Sequence, residues 1–317
     1  MEDISGKNIL VTGGAGFIGS NLVELFMSKN ANVTVIDNLS DGKIEFLDKF
    51  MKKKNFKFEK IDVLDKEKVE KCMKEHEIQL VAHLAAKSDV AQGTKITDLD
   101  LKQGTVATYN VLESMRKNDV KDIMFSSSSV VYGYASVKPT PENYGPLAPI
   151  SLYGASKLAA EGLISAFSHL FGMRYYIYRY ANIVGKNSTH GVVLDFKKRL
   201  KENPKELTVF GDGKQRKSYL DVVDCVDGML YIYQKSKSNE NIFNLATDDQ
   251  MQVSDIVKVA IEKFSPGAKI KYTGGAQGWP GDVPDAWLSN KKMKEIGFEP
   301  KMKSSRDAVL NLVNLLA

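Results

Sequence analysis

In the stretch SLYGASK, Ser151 to Lys157, a tyrosine and a lysine stand four residues apart. On a helix, positions i and i+4 share a face, which brings the Tyr153 hydroxyl and the Lys157 ammonium close together. Together they could move a proton, the phenol taking and returning it while the ammonium stabilises the phenolate. A free tyrosine titrates near 10, so work near neutrality needs a change of roughly three pH units, or about 4 kcal/mol. A lysine charge at about 4 Å supplies roughly that at an effective dielectric near 20. The spacing alone recurs by chance in many helices. Its weight therefore depends on what surrounds it.

The second chemical signal is TGGAGFIGS, with Gly13, Gly16 and Gly19 between an apolar run and an amphipathic segment. Glycines let a backbone approach a pyrophosphate, and the helix opening there offers free N–H groups and a positive dipole end. Asp37, in VIDNLS about twenty residues on, suits the ribose hydroxyls of an adenosine and repels a 2′-phosphate. The pattern predicts NAD rather than NADP.

These residues need a scaffold, and the chain alternates in the way that builds one. Short apolar or β-rich runs occur at Ile9 to Val11, Val33 to Ile36, Phe56 to Phe58, Leu80 to Leu84, Ile123 to Phe125 and Tyr175 to Tyr180. Helix-length segments separate most of them: Phe17 to Ser28, Lys66 to Glu75, about Thr97 to Lys117, and Tyr153 to Phe171. Such alternation predicts an α/β fold, a Rossmann-type doubly wound parallel sheet covered by helices. Past about Asn182 loops and Gly-Asp-Gly punctuation take over. This predicts an NAD-binding domain over 1–181 and a smaller C-terminal α/β lobe over 182–317, with 218–247, and NIFNLA (Asn241 to Ala246) in particular, returning to the first.

Composition narrows the function classes. The 317 residues are 43% hydrophobic, enough for a substantial core. The net charge of +5 is the balance of 44 basic and 39 acidic residues, too even for a nucleic-acid footprint. No apolar run is long enough to span a bilayer and no signal region opens the chain, so a cytoplasmic protein is expected. Cys72 and Cys225 have no CxxC companion and read as packing residues; the four histidines show no ligand spacing, so no metal site is expected.

The Gly-x-x-Gly-x-x-Gly spacing, FSSSSVVYG at the end of the fifth strand and the Tyr-x-x-x-Lys pair together resemble the extended short-chain dehydrogenase/reductase family. VTGGAGFIGS, IDNLS, YRYANIVG, TVFGDG and PGDVP are most similar to its UDP-sugar 4-epimerase branch, over nearly the whole chain. The resemblance implies Tyr153 as acid/base, Lys157 as its electrostatic partner and nicotinamide-ribose ligand, and Ser128 as the third catalytic side chain. For the cofactor it implies Gly13, Gly16, Phe17, Ile18 and Gly19 at the pyrophosphate, Asp37, Asn38 and Ser40 at the ribose, and Asp62 and Val63 at the adenine. Leu84, Ala85, Ala86, Gln103, Ser126, Tyr180 and Ile183, with Tyr153 and Lys157, complete the set. For the nucleotide-sugar it implies Ser88, Ser128, Ser129, Tyr153, Asn182, Val192, Val193, Thr208, Phe210, Lys217, Asp282 and Ala286.

The chemistry so implied is C4 inversion of a UDP-hexose through a transient 4-keto sugar, with no net redox. In epimerases confined to unsubstituted hexoses a tyrosine follows Pro-Gly-Asp-x-Pro by two positions; Ala286 stands there in PGDVPDAW. The small side chain implies room for an N-acetyl group, hence UDP-N-acetylglucosamine as well as, or in preference to, UDP-glucose, unless Trp287 refills the space. Three positions depart from the family's pattern: Gln103 for an asparagine, Lys217 beside Arg216 for the pyrophosphate arginine, and Trp279 for another arginine. Lysine balances phosphate charge without the bidentate fork. A 4,6-dehydratase would need an Asp-Glu pair where Ser129 and Val130 stand. A UDP-glucuronate decarboxylase/epimerase or a C4-reductase shares the triad, and a non-catalytic NAD sensor would have lost it. The two long helices imply a homodimer through a four-helix bundle, with Val111, Leu112, Met115, Leu163, Ile164 and Phe167 either at that interface or in the core.

Overall fold

The computed structural model of the chain describes residues 2–87 and 92–317. Seven strands form one parallel sheet: β1 (Asn8–Thr12), β2 (Asn32–Ile36), β3 (Phe56–Glu59), β4 (Leu80–His83), β5 (Asp122–Ser128), β6 (Arg174–Tyr180) and β11 (Glu240–Leu245), in the order β11-β6-β5-β4-β1-β2-β3. The β-branched and apolar runs of β1, β2 and β4 are buried on both faces, as a sheet clad by helices on each side requires. Winding outward in both directions leaves β1 and β4 side by side, paired Ile9↔Leu80 to Thr12↔His83, with a crevice beyond their carboxyl ends.

On one face α1 (Phe17–Ser28) and α6 (Val222–Lys235) bury Leu22, Phe26, Met229 and Ile232. On the other, α2 (Lys66–Glu75), α3 (Ala107–Lys117) and α4 (Leu152–Phe171) bury Val69, Val111, Leu112, Met115, Ile164 and Phe167, with Leu163 packed against them. Those last six side chains are therefore core. The segment before α3 departs from the expected single helix: a 3₁₀ turn at Gln92–Thr94 precedes a π-helical stretch at Leu101–Val106. Gly104 within it packs closely on α4, where a Cβ would lie 2.5 Å from Ser156 Oγ.

The remaining elements form a second layer over the carboxyl end of the sheet. β7 (Asn182–Val184) pairs with β10 (Tyr219–Asp221), and β8 (Glu206–Val209) with β13 (Lys269–Tyr272). β9 (Arg216–Lys217) lies between β12 (Met251–Gln252) and β14 (Asp285–Ala286). Helices α5 (Val192–Glu202), α7 (Val253–Phe264) and α9 (Ser305–Leu316) pack here around Phe196, Leu207, Ile256 and Leu312, while the short α8 (Lys291–Glu295) sits against β11. Among the described residues, no helix is long and apolar enough to cross a membrane.

Candidate active site

The turn after β1 is built around what glycine alone permits. Gly13 has φ +69°, and a Cβ there would stand 2.7 Å from Ala85 N; one on Gly19 would stand 2.1 Å from Gly13 O. Gly16 caps α1 without any side-chain hydrogen bond, so the N–H groups of the first turn, at Phe17 and Ile18, keep their donors for a ligand. Asp37, buried at the end of β2, accepts from Ala15 N at 3.0 Å and Leu39 N at 2.8 Å. Burial outweighs those two donors and holds its carboxyl above the usual aspartate range. Asn38 Nδ2 donates to Asp62 Oδ2 at 2.9 Å, and Asn38 Oδ1 accepts from Ser40 N at 2.9 Å, linking the ends of β2 and β3. Val63 is buried, its carbonyl accepting from Asn110 Nδ2 at 3.1 Å; Leu84, Ala85 and Ala86 follow β4, partly exposed along the crevice. A glycine cradle open to a pyrophosphate, with an acidic strand end beside it, fits NAD.

The serine run ends β5, where Ser126↔Tyr178 and Ser128↔Tyr180 are paired. Ser128 leaves the strand and its Oγ accepts from Val130 N at 3.4 Å, capping the 3₁₀ turn Ser129–Tyr132. Helix α4 begins at a Ser151 N-cap whose Oγ accepts from Gly154 N at 3.1 Å, which sets Tyr153 in the first turn. Gly154 admits the turn below it: a Cβ there would come within 3.0 Å of Val130 O. Lys157, one turn further on and 2% exposed, donates to Ser126 O at 2.6 Å, its Nζ lying 4.8 Å from the Phe125 ring centroid and 5.7 Å from that of Tyr153.

The charge states follow from burial. Tyr153 is pushed well above the ordinary tyrosine range, first by desolvation and then by the Asp100 carboxylate. Lys157 is pushed down to about 8 by desolvation, against the opposing pull of Glu161 and Asp100. The Lys157 ammonium is turned toward the Ser126 carbonyl, and burial dominates the phenol. In this arrangement the lysine charge does not offset the burial of the phenol.

Two residues around the pair carry no motif of their own. Asp100, 2% exposed, acts on both titrating groups. Glu161, a further turn along the Tyr153–Lys157 face, accepts from Ser127 Oγ at 2.5 Å and from Arg179 Nε and Nη2 at 3.0 and 2.7 Å. Arg179 extends the network to the Tyr132 hydroxyl at 3.0 Å, which donates to Asn244 Oδ1 of β11 at 2.8 Å. The signal for Glu161 was legible as Tyr-x₃-Lys-x₃-Glu, one helical face carried one turn further.

Of the other sequence-derived positions, Gln103 lies in the π-helical stretch and Ile183 in β7, both partly buried. Tyr180 is buried, its hydroxyl on Met229 Sδ at 3.0 Å. Asn182 Nδ2 donates to Ser218 O at 3.4 Å. Val192 opens α5, whereas the Val193 side chain is packed in the core of the second layer. Arg199 stacks its guanidinium 3.9 Å from the Phe210 ring centroid and donates to Thr208 O at 2.9 Å. Lys217 is ion-paired with Asp282 and lies 5.0 Å from the Trp279 ring centroid. Ala286 is the register partner of Lys217, and Trp287 donates Nε1 to Asp248 O at 3.0 Å. Ser88 lies outside the described residues.

Comparison with known proteins agrees with this geometry. Residues 9–246 match the model of the NAD dependent epimerase/dehydratase family. The chain is 31% identical to the UDP-glucose 4-epimerase of Bacillus subtilis, over 92% of each chain. It superposes on the Thermotoga maritima UDP-glucose 4-epimerase with UDP-glucose at a TM-score of 0.88, with 33% identity and 98% of each chain covered. The UDP-N-acetylglucosamine 4-epimerase of Methanobrevibacter ruminantium, in complex with UDP-N-acetylmuramic acid, superposes at 0.85, with 26% identity and 98% of each chain covered.

Proposed function

Because the chain belongs to the NAD-dependent epimerase/dehydratase family, we propose that it is a UDP-hexose 4-epimerase, in which Ser128, Tyr153 and Lys157 carry out the proton transfers of C4 inversion. NAD held at the Gly13–Gly19 turn supplies the hydride acceptor and donor and a positive charge near the phenol. Tyr153 takes the proton of the C4 hydroxyl, and Ser128 hydrogen-bonds that hydroxyl as its proton leaves. Lys157 holds the nicotinamide ribose and adds its charge to the phenolate. Once the 4-keto sugar has turned about its pyrophosphate linkage, the hydride would return to the other face of C4 and Tyr153 returns the proton to the C4 oxygen. Lys217 serves the pyrophosphate, and Asp282, Phe210 and Thr208 the rest of the nucleotide-sugar. Such a site must grip UDP and leave the hexose loose enough to turn. The observation that carries this reading is the bond from Lys157 to Ser126 O, which clamps the Tyr153 face of α4 against the strand end bearing Ser128.

For the sugar, we infer that UDP-N-acetylglucosamine and UDP-N-acetylgalactosamine are accepted as well as, or in preference to, UDP-glucose and UDP-galactose. Ala286 and Trp287 are consecutive in an extended segment, so their side chains leave opposite faces, and the indole is engaged by Asp248 rather than filling the space beside Ala286. The reading also places the NAD domain at 1–181 with 218–247 and the sugar-binding lobe in the remainder. It pairs two copies through α3 and α4, whose Tyr109, Leu170 and Phe171 are exposed.

The test is incubation of purified protein with UDP-N-acetylglucosamine and UDP-glucose separately, without added cofactor, following the C4 epimers by NMR. Reversible conversion of at least one sugar is expected, with no net NADH, and a fall of about 10²-fold or more in Tyr153→Phe. Full activity in that variant would remove Tyr153 from its role. Net NADH turnover would point instead to a reductase or decarboxylase.

A further inference from the structure

On the outer side of the sheet, away from the serine run, Glu59, Cys72 and His76 converge, and no part of the proposed reaction uses them. Glu59 is the last residue of β3, the edge strand. Cys72 lies on α2 and His76 is its C-cap, so the two share a face at i and i+4. One donor atom from each, Glu59 Oε, Cys72 Sγ and His76 Nε2 or Nδ1, lies within 4.8 Å of the other two. We propose that these three side chains form a site for a divalent transition metal, zinc foremost, bound as thiolate, imidazole and carboxylate with a water at the fourth position.

The donor set decides the metal class. Sulfur and imidazole with one carboxylate suit zinc and its borderline-soft neighbours, whereas magnesium and calcium require oxygen ligands. A tetrahedral ion with bonds of about 2.0–2.3 Å needs its donors about 3.3–3.6 Å apart. Without an ion, His76 Nε2 and Glu59 Oε1 are drawn together at 2.5 Å. That pair must open by about 1 Å, which side-chain torsions of Glu59 can absorb, and the sulfur need close by a similar amount at most. The side chains of His76 and Glu59 are 24% and 33% exposed, giving the ion a route in and a water at its open position, while Cys72 closes the inner side.

The field favours a cation. Burial first, and then the Glu59 and Glu75 carboxylates, push the Cys72 thiol up to about 12. The same charges attract a metal, which would displace the thiol proton on binding. The carbonyl end of α2 adds the negative end of its dipole. Lys71, the cation bonded to Glu75, is at 3.5 Å from that carboxylate and is largely exposed, so it screens the site weakly. The sequence carries neither a histidine pair at ligand spacing nor a CxxC, because the third ligand arrives from a strand thirteen residues before Cys72.

The experiment titrates the NAD-loaded protein with Co²⁺ and then competes it with Zn²⁺. One Co²⁺ per chain is expected, with a near-ultraviolet thiolate-to-metal charge-transfer band and the strong visible bands of tetrahedral cobalt, all displaced by zinc. Cys72→Ser should abolish the charge-transfer band, and His76→Gln and Glu59→Gln should each weaken metal binding about 10-fold or more. All three variants should retain epimerase activity. Because His76 and Glu59 are partly exposed, their variants keep the test decisive should Cys72→Ser unfold. Binding without the thiolate band, binding unchanged in His76→Gln, or no binding in a metal-buffered titration would each overturn the site.

Discussion

Replacing Lys157 by methionine should make the protein more stable near pH 7 while disabling it. The lysine titrates at about 8 in the fold against 10.5 for a free side chain. Carrying it charged at neutral pH therefore costs the folded state about 3 kcal/mol, at about 1.4 kcal/mol per pH unit. Methionine removes that cost, which already includes the charged state's own bonds, and loses the bond a neutral amine would still make to Ser126 O, worth about 1 kcal/mol. The expected net gain is about 2 kcal/mol. The pH dependence is the sharper signature. Below pH 8 both folded and unfolded wild-type chains hold the proton and the cost is present in full. Between 8 and 10.5 only the unfolded chain holds it, so wild-type stability rises with pH. Methionine cannot follow this rise, so the advantage of the variant should shrink above pH 8 and be gone near pH 10. Urea unfolding of cofactor-free protein at pH 7, 8.5 and 10 measures this directly, and epimerase activity should fall about 10²-fold or more. A variant less stable at pH 7 and parallel to wild type at higher pH would refute the burial argument, and with it the idea that this lysine is kept for chemistry at the expense of the fold.

Glu161→Gln should cost about 3–5 kcal/mol in the same unfolding assay, because it strands the buried Arg179 guanidinium; Glu299→Gln, at an exposed pair with Lys303, should leave the unfolding curve where it is. Since Glu161 holds the Lys157 pKa up, its neutralisation should also move the alkaline limb of the kcat profile to lower pH, and an unmoved limb would separate the network from the ammonium. Ala286→Tyr should lower kcat/KM for UDP-N-acetylglucosamine about 10²-fold while leaving UDP-glucose within a few-fold, measured by coupled assay on both sugars.

Much of this architecture was legible because local and global signals agree. The strand and helix periods of β1, α1, β2 and α2 needed only apolar patterning, and their bounds match the runs read from the sequence to within a residue or two. The glycine turn was legible because Gly13 and Gly19 answer steric demands that no other residue meets. The segment from Leu101 to Val106 was not, since its π-helical geometry, and the close contact of its Gly104 with Ser156 of another helix, leave no trace in its own periodicity. Pairings between distant residues were equally hidden. That Lys217 meets Asp282, or that Glu59 meets His76, depends on how short strands align, and neither spacing nor residue type encodes it.

The arrangement of α4 suggests why Tyr153 and Lys157 are set so deep. Tyr153, Lys157 and Glu161 follow one face of the helix inward, and Arg179 of β6 closes the series, so phenol, ammonium, carboxylate and guanidinium alternate from the crevice to the core. Each buried charge is partly balanced by its neighbour, which is how a lysine 2% exposed can hold a proton at all near neutrality. The outermost member has no such balance: the influences on Tyr153 are burial and the Asp100 carboxylate, both of which favour the neutral phenol. A tyrosine so placed is a poor base in an empty crevice and improves only when positive charge is brought beside it. In the proposed reaction, proton uptake by Tyr153 is thereby tied to cofactor occupancy through electrostatics.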